Sequence, residues 1–273
     1  MTVRMATLVS FHAHPDDEAI ATGGAIARAA SEGHRVVLVV ATGGEFGETP
    51  EDLEPGERLV DRRRRETEAS ATLLGIHQVE WLGYEDSGMT GWEQNANPGC
   101  FHQAPLEEAA ERLAEILRRE SAEVLTTYDW HGNYGHPDHV KVHHVGHRAA
   151  ELAGTPKVFE ATINRDRMRT MMAAAKQAAE AAGTPTDDEF DPDGPADDGN
   201  PMGTPEAEIT LAVDVRRWVA LKREAVLAHR SQVTDSSFFA EMPDEMFLQA
   251  FGTEWYIERG AATGTGPVEG WFW

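Results

Sequence analysis

Cysteine is almost missing. Cys100 is the only one in 273 residues, so no disulfide can close within the chain and a cysteine-rich structural zinc site is excluded. A lone cysteine fits a reducing, cytoplasmic setting. Cationic side chains are scarce as well. Lys and Arg number 24 against 47 Asp and Glu, a formal charge of -23. A surface so negative repels phosphate backbones and anionic lipid, which argues against nucleic-acid and membrane partners. Long apolar runs are absent, the longest being residues 36–41, far short of the roughly 20 residues of a bilayer span. The N-terminal stretch carries one basic residue, Arg4, and runs into His12 and His14, which is not the pattern of a signal peptide. No G-x-S-x-G elbow occurs, so a serine hydrolase of that type is excluded.

What is present is an alternation of strand and helix signals. Short β runs fall at 6–11, 35–41, 79–82, 123–128 and 157–163, and helical patterns at 19–31, 59–74, 105–120 and 138–152. The run Val36-Val37-Leu38-Val39-Val40 is apolar on both faces, as in a sheet covered on both sides. The expected fold is α/β, a Rossmann-like, mostly parallel sheet with helices on both faces. In the 105–120 helix, Leu106, Ala109, Leu113, Ile116 and Leu117 are expected on one buried face. A further helix is expected over 165–182, a strand over 209–213, a helix over 215–229 capped by Asp214, and a last short strand over 254–257. Residues 183–206 hold seven acids between 187 and 198 and no Lys or Arg. They read as a mobile, solvated insert in one domain spanning 1–273.

Two clusters carry the chemistry. His12-Ala13-His14-Pro15-Asp16-Asp17-Glu18 follows the first strand, at the sheet edge where ligands of open α/β folds bind. Helix capping by Asp16 or Asp17 accounts for one of these acids but not for three in a row beside a histidine. Tyr134-Gly135-His136-Pro137-Asp138-His139 also lies between a strand and a helix, in the stretch 131–147 that holds six of the 12 histidines. Two imidazoles and a carboxylate suit an open catalytic zinc site, and Fe2+ is chemically compatible. These residue types leave open which aspartate binds metal. His143 and His147 continue the spacing of His139 along the helix, but they read as a packed or exposed face leading away from the turn. Arg62 to Arg65 fan around a helix axis and do not form a basic patch. Cys100, with no His-Asp arrangement near it, reads as a small buried residue.

Together, Ala13-His14-Pro15-Asp16-Asp17-Glu18 and Gly135-His136-Pro137-Asp138-His139 resemble the paired motifs of the LmbE/PIG-L family of metal-dependent de-N-acetylases, over about residues 5–163. The resemblance implies zinc held by His14, Asp17 and His139, with Asp16 as general base. It also implies that His136 stabilises developing charge or donates a proton, and that Tyr134 resembles the oxyanion-polarising tyrosine of mycothiol-pathway members. Glu48, in the loop Thr42-Gly43-Gly44-Glu45-Phe46-Gly47-Glu48, would contact sugar, with Arg63, Asp86 and Met89. Asp138 is expected to orient a histidine.

The implied activity is hydrolysis of an N-acyl amide, most simply N-acetyl, on a small amino-sugar compound. Two alternatives stand beside it: an amidase of mycothiol-like thiol conjugates, and a non-catalytic sugar or nucleotide binder. Ala19-Ile20-Ala21-Thr22-Gly23 lacks the lysine that the conjugate amidases resemble one another in carrying there, which leans away from the first.

Overall fold

The computed structural model describes residues 5–183, 191–234 and 236–273. Its eight strands form one sheet in the order β3-β2-β1-β4-β5-β7-β6-β8. They are β1 Thr7–His12, β2 Arg35–Thr42, β3 Gln78–Tyr84, β4 Val124–Tyr128, β5 Lys157–Thr162, β6 Leu211–Asp214, β7 Thr253–Glu258 and β8 Val268–Glu269. The first five run parallel, and β7 enters antiparallel to both β5 and β6. The expected Rossmann-like, mostly parallel sheet is therefore present. Strand order reverses between β1 and β4, each of which feeds one of the two histidine clusters. That reversal opens a crevice at the strands' C-terminal ends, the ligand position of such folds.

Helices cover both faces. α1 Asp17–Ser31 and α2 Leu59–Leu74 lie on one side with α6 Val219–Ala228, and α3 Leu106–Arg119 packs with α4 Pro137–Ala153 on the other. α5 Arg165–Ala182, the four-residue α7 Phe238–Glu241 and α8 Asp244–Phe251 complete the set among the described residues. Alternate β1 and β2 side chains feed two cores: Val9, Phe11, Val37 and Val39 meet α3 and α4, whereas Leu8 and Val36 meet α1. No helix among the described residues is long and apolar enough to cross a membrane.

Two expectations are corrected. Leu106 is 38% exposed: it is the first residue of α3, whose buried face begins one turn later at Ala109; Ala109, Leu113, Ile116 and Leu117 are buried as expected. The helix expected over 215–229 begins as a 3-10 turn at Arg216–Trp218 whose N-cap is Val215, so Asp214 lies one residue before the cap and accepts from the Arg216 amide at 3.0 Å without capping the helix. Part of the acidic segment, 184–190, lies outside the described residues. The described part is fastened to the body: the Asp197 amide donates to Tyr134 O at 3.0 Å, the Gly203 amide to Asn133 O at 2.7 Å, and Asp198 Oδ2 lies 3.3 Å from His131 Nδ1.

The tail is joined to the first helix through a buried charge. Glu254 on β7 accepts from the Gly24 and Ala25 amides at 2.7 and 2.9 Å, from the Tyr256 hydroxyl at 2.9 Å and from Lys222 Nζ at 2.6 Å. Removing one partner of a buried pair leaves the other charge uncompensated, typically at a cost of about 3–5 kcal/mol. Lys222→Met should lower unfolding stability by about that amount in a urea titration, and adding Glu254→Gln should restore part of it. A single variant as stable as wild type would show that the pair contributes nothing.

Candidate active site

The first motif leaves β1 in a strained turn. Asp16 sits at the N-cap of α1 with φ 101°, a conformation costly for a residue with a Cβ, and its side chain makes no capping hydrogen bond. The capping reading of Asp16 thus fails. Its carboxylate instead faces a cleft of about 200 Å3 and meets Arg63 Nη2 at 3.2 Å. Burial, opposed by Arg63 and reinforced by Asp17, pushes Asp16 up to about 6, where a carboxylate can both take and return a proton near neutrality.

His14 and Asp17 line the cleft, and His139 lies against both of them. His139 Nε2 is 3.3 Å from His14 Nδ1 and 3.4 Å from Asp17 Oδ2, and His14 Nδ1 is 3.5 Å from the same oxygen. Ligand atoms about 2.0–2.1 Å from a tetrahedral zinc stand about 3.3–3.4 Å apart, so this triangle fits the ion. The far ring nitrogens are already engaged: His14 Nε2 meets Asp138 Oδ2 at 3.2 Å, and His139 Nδ1 meets Gly132 O at 3.2 Å. Such outer bonds aim the remaining nitrogen at a metal. Burial alone would lower His14, but Asp86, Asp138 and Asp17 lift it well above its ordinary value. Burial would raise Asp17, but His139 and His14 hold it well below the usual carboxylate range. The surplus negative charge that holds a proton on His14 would equally hold a divalent ion, with proton release on binding.

His136 stands beside the triangle, its ring centroid 4.6 Å from that of His14 and 5.1 Å from that of His139. It is near enough to compete as a ligand, and His14, His136 and His139 do form a group of metal-ligating type. Its Nδ1, however, accepts from the Asp138 amide at 3.1 Å, which puts the proton of the neutral ring on Nε2 and makes that atom a donor. Burial, with His14 and His139 adding to it, pulls His136 down to about 2, so the ring is neutral. Tyr134 lines the same cleft, and burial pushes its hydroxyl well above its ordinary value.

The other expected residues divide. Asp86 and Met89 line the cleft; Asp86 accepts from the Gly88 and Phe46 amides at 2.8 and 3.3 Å. Arg63 is buried and lines it too, but its guanidinium is largely spent on Gly44 O at 2.8 Å, Pro15 O at 2.5 Å and Asp16. Glu48 is exposed and outside the cleft wall; its backbone pairs with Gln232 at 3.0 and 2.9 Å. Asp138 meets His14 as expected. The four arginines do fan: Arg62 and Arg65 to Glu57, Arg63 inward, Arg64 over Trp81. Cys100 is buried.

Sequence reasoning missed Gln232, Trp92 and Phe46 on the rim and a support beneath it. Glu18 accepts from Ser70 Oγ at 2.6 Å, pairs with His229 Nε2 at 2.8 Å, and takes the Asp16 amide at 3.0 Å. A histidine directly after the apolar run Ala225-Val226-Leu227-Ala228 that closes α6 was the available signal. A larger groove of about 370 Å3 lies at Arg167, Asp214, Arg216 and Trp255, but its Arg216 is paired with Asp214 and it gathers no histidine.

Comparison with known proteins identifies the family. Residues 9–150 match the family profile PIG-L, described as GlcNAc-PI de-N-acetylase. The chain is 38% identical over 289 residues to a 1D-myo-inositol 2-acetamido-2-deoxy-alpha-D-glucopyranoside deacetylase of Thermomonospora curvata, covering 96% of this chain and 94% of that one. A protein of the same name from Acidothermus cellulolyticus is 38% identical over 270 residues, covering 94% and 90%. Among solved structures, the N,N'-diacetylchitobiose deacetylase of Pyrococcus horikoshii aligns with TM-score 0.52 at 24% identity over 88% of this chain and 72% of that one. GalB, a 4-carboxy-2-hydroxymuconate hydratase from Pseudomonas putida, aligns with TM-score 0.59 at 20% identity over 95% and 98%. At such identities these two bear on the fold alone.

Gly132 tests the triangle. A Cβ there would fall 2.3 Å from His139 Cβ and 2.7 Å from its backbone carbon, at φ +65°. Gly132→Ala must therefore displace His139. Zinc affinity in a chelator competition should fall about 10–100-fold, as when a ligand's support is lost, with native circular dichroism. Unchanged affinity would mean that His139 does not hold the ion.

Proposed function

The chain belongs to the PIG-L family of GlcNAc-PI de-N-acetylases, and on that premise we propose that it hydrolyses the N-acetyl amide of a small amino-sugar, an N-acetylglucosaminyl inositol, to acetate and a free amine. The reading rests on one observation above all: Asp16 lines the same cleft as His14 and Asp17, and His139 closes a triangle with those two. The relatives' names support the substrate. In this reading His14, Asp17 and His139 hold the metal, and zinc is the ion. Bound there, zinc would supply Lewis acidity toward the amide carbonyl and bring the pKa of a water toward about 7.

The chain's own groups do the rest. Asp16 takes the proton of the attacking water. Arg63 fixes its carboxylate, and the Glu18 contact to the Asp16 amide holds the strained turn that aims it. As the carbonyl oxygen gains charge, His136 Nε2 and the Tyr134 hydroxyl donate to it; both are neutral donors, so stabilisation comes without moving a charge. The amine must leave protonated, and Asp16 returns the proton it took. The cleft is smaller than the about 300–1,000 Å3 of pockets that engulf a drug-sized ligand. It takes the acetamide end, and the remaining sugar lies against Asp86, Met89 and the rim of Phe46, Trp92 and Gln232. Glu48 is left at the periphery. One domain carries the whole reaction, and its setting is the cytoplasm, where a small polar metabolite is free to diffuse.

The deciding assay is acetate release from N-acetylglucosaminyl inositol, N-acetylglucosamine and bare acetamide, with zinc loaded. Turnover should be fastest on the first, and none on any N-acetyl sugar would leave only a binder. Asp16→Ala should keep its zinc and lose about 10²–10⁴-fold in kcat, the range for a missing general base. Turnover like wild type would assign the base elsewhere.

A further inference from the structure

Three of the histidines gathered in 131–147, namely His143, His144 and His147, lie further along α4 than His139. His143 and His147 are one turn apart on α4, the spacing that brings two rings to one helix face, with centroids 4.5 Å apart. Glu160 on β5 reaches the same point, its Oε1 2.9 Å from His147 Nε2. One donor atom from each of the three lies within 4.8 Å of the others. The helix comes this close because of Gly146: a Cβ there would lie 2.7 Å from Thr127 Oγ1 on β4. A bulkier residue would lift α4 off the sheet and separate its histidines from β5.

The hydrogen bonding is that of ligands more than of an ion pair. His143 Nδ1 is bonded to Tyr128 O at 3.0 Å, so Nε2 carries the free lone pair, the arrangement by which metal-binding histidines are held. His147 Nε2 is buried and has no hydrogen-bond partner. Its 2.9 Å approach to Glu160 lacks the alignment that a ring N–H donating to a carboxylate would adopt. A cation between these groups would satisfy both.

We infer that His143, His147 and Glu160 form a second metal site, for zinc or another late first-row divalent ion, one helical turn along α4 from His139. Two imidazoles and one carboxylate select such ions over Mg2+ and Ca2+, which require oxygen ligands. The formal charge of -23 raises the local concentration of any cation. Nothing in this inference depends on the deacetylase reading.

The test is metal stoichiometry. The full chain would be dialysed against micromolar free Zn2+ and analysed for bound metal, with Mg2+ and Ca2+ as controls. Wild type should bind a second equivalent; His147→Ala and His143→Asn should bind one fewer. His139→Ala should lose an equivalent independently of them. Glu160→Gln, which preserves shape, should weaken the second equivalent by at least about 10-fold. With Co2+ in place of zinc, the visible absorption of the second equivalent should vanish in His147→Ala and persist in His139→Ala. A single equivalent on wild type, or a second that survives both His147→Ala and His143→Asn, would overturn the inference, as would Mg2+ competing equally.

Discussion

One buried carboxylate joins the parts of this molecule that do chemistry. Asp138, at the start of α4, meets His14 Nε2 at 3.2 Å and accepts from the Ser87 amide at 2.9 Å and from the Ser87 hydroxyl. It therefore ties the loops after β1, β3 and β4 to one point. Its own amide donates to His136, so the residue that orients one histidine also sets the tautomer of another. Being fully buried, the carboxylate depends on those donors, because an unpaired charge there would cost several kcal/mol.

Beneath the cleft runs a layer of polar contacts that a purely apolar core would not need. Ser10 Oγ lies 2.7 Å from Thr126 Oγ1, and His12 bonds Tyr128 through Nδ1 at 2.8 Å and Thr22 through Nε2 at 2.9 Å. Burial pulls His12 down to about 4, so it is a neutral strut. Glu18, Ser70 and His229 form a second strut under Asp16. Each group is buried and has a partner from a different element, with His229 Nδ1 the one ring atom left without a hydrogen bond. A network of that kind specifies one arrangement of its members, because any shift leaves a polar group unpaired. In the proposed function, which places a carboxylate and two donors around one amide, a fixed arrangement is the main requirement.

The fold does not decide the reaction. A hydratase and a deacetylase both align with this chain, and an open α/β sheet offers the same crevice to either. What distinguishes a hydrolytic reading is local: a strained Asp16 aimed into the cleft and neutral donors opposite it. The acidic segment adds a further local feature. Its described part is fastened to the loop that carries His131 and Tyr134, so it shapes the wall behind the cleft.

Much of this was legible in the sequence. Period and length announced the strand-helix alternation, since Val36-Val37-Leu38-Val39-Val40 is apolar on both faces and Gly75 ends α2 in the left-handed conformation that glycine accepts best. The two His-Pro-Asp motifs marked the working edge because local chemistry is encoded locally. The partners of those motifs were not legible. His229 reaches Glu18 across 211 residues, and Arg63 is occupied by carbonyls at 15 and 44, contacts that no spacing rule anticipates. Glu48 and Leu106 fell outside the expected surfaces for the same reason: which way a loop or a first helical turn faces depends on what else is packed there. The sequence by itself determined the elements, the residue types of the site and the sheet edge that carries it. Only the tertiary structure decided which atoms meet, because distance, burial and hydrogen-bond direction are properties of chain segments brought together by folding.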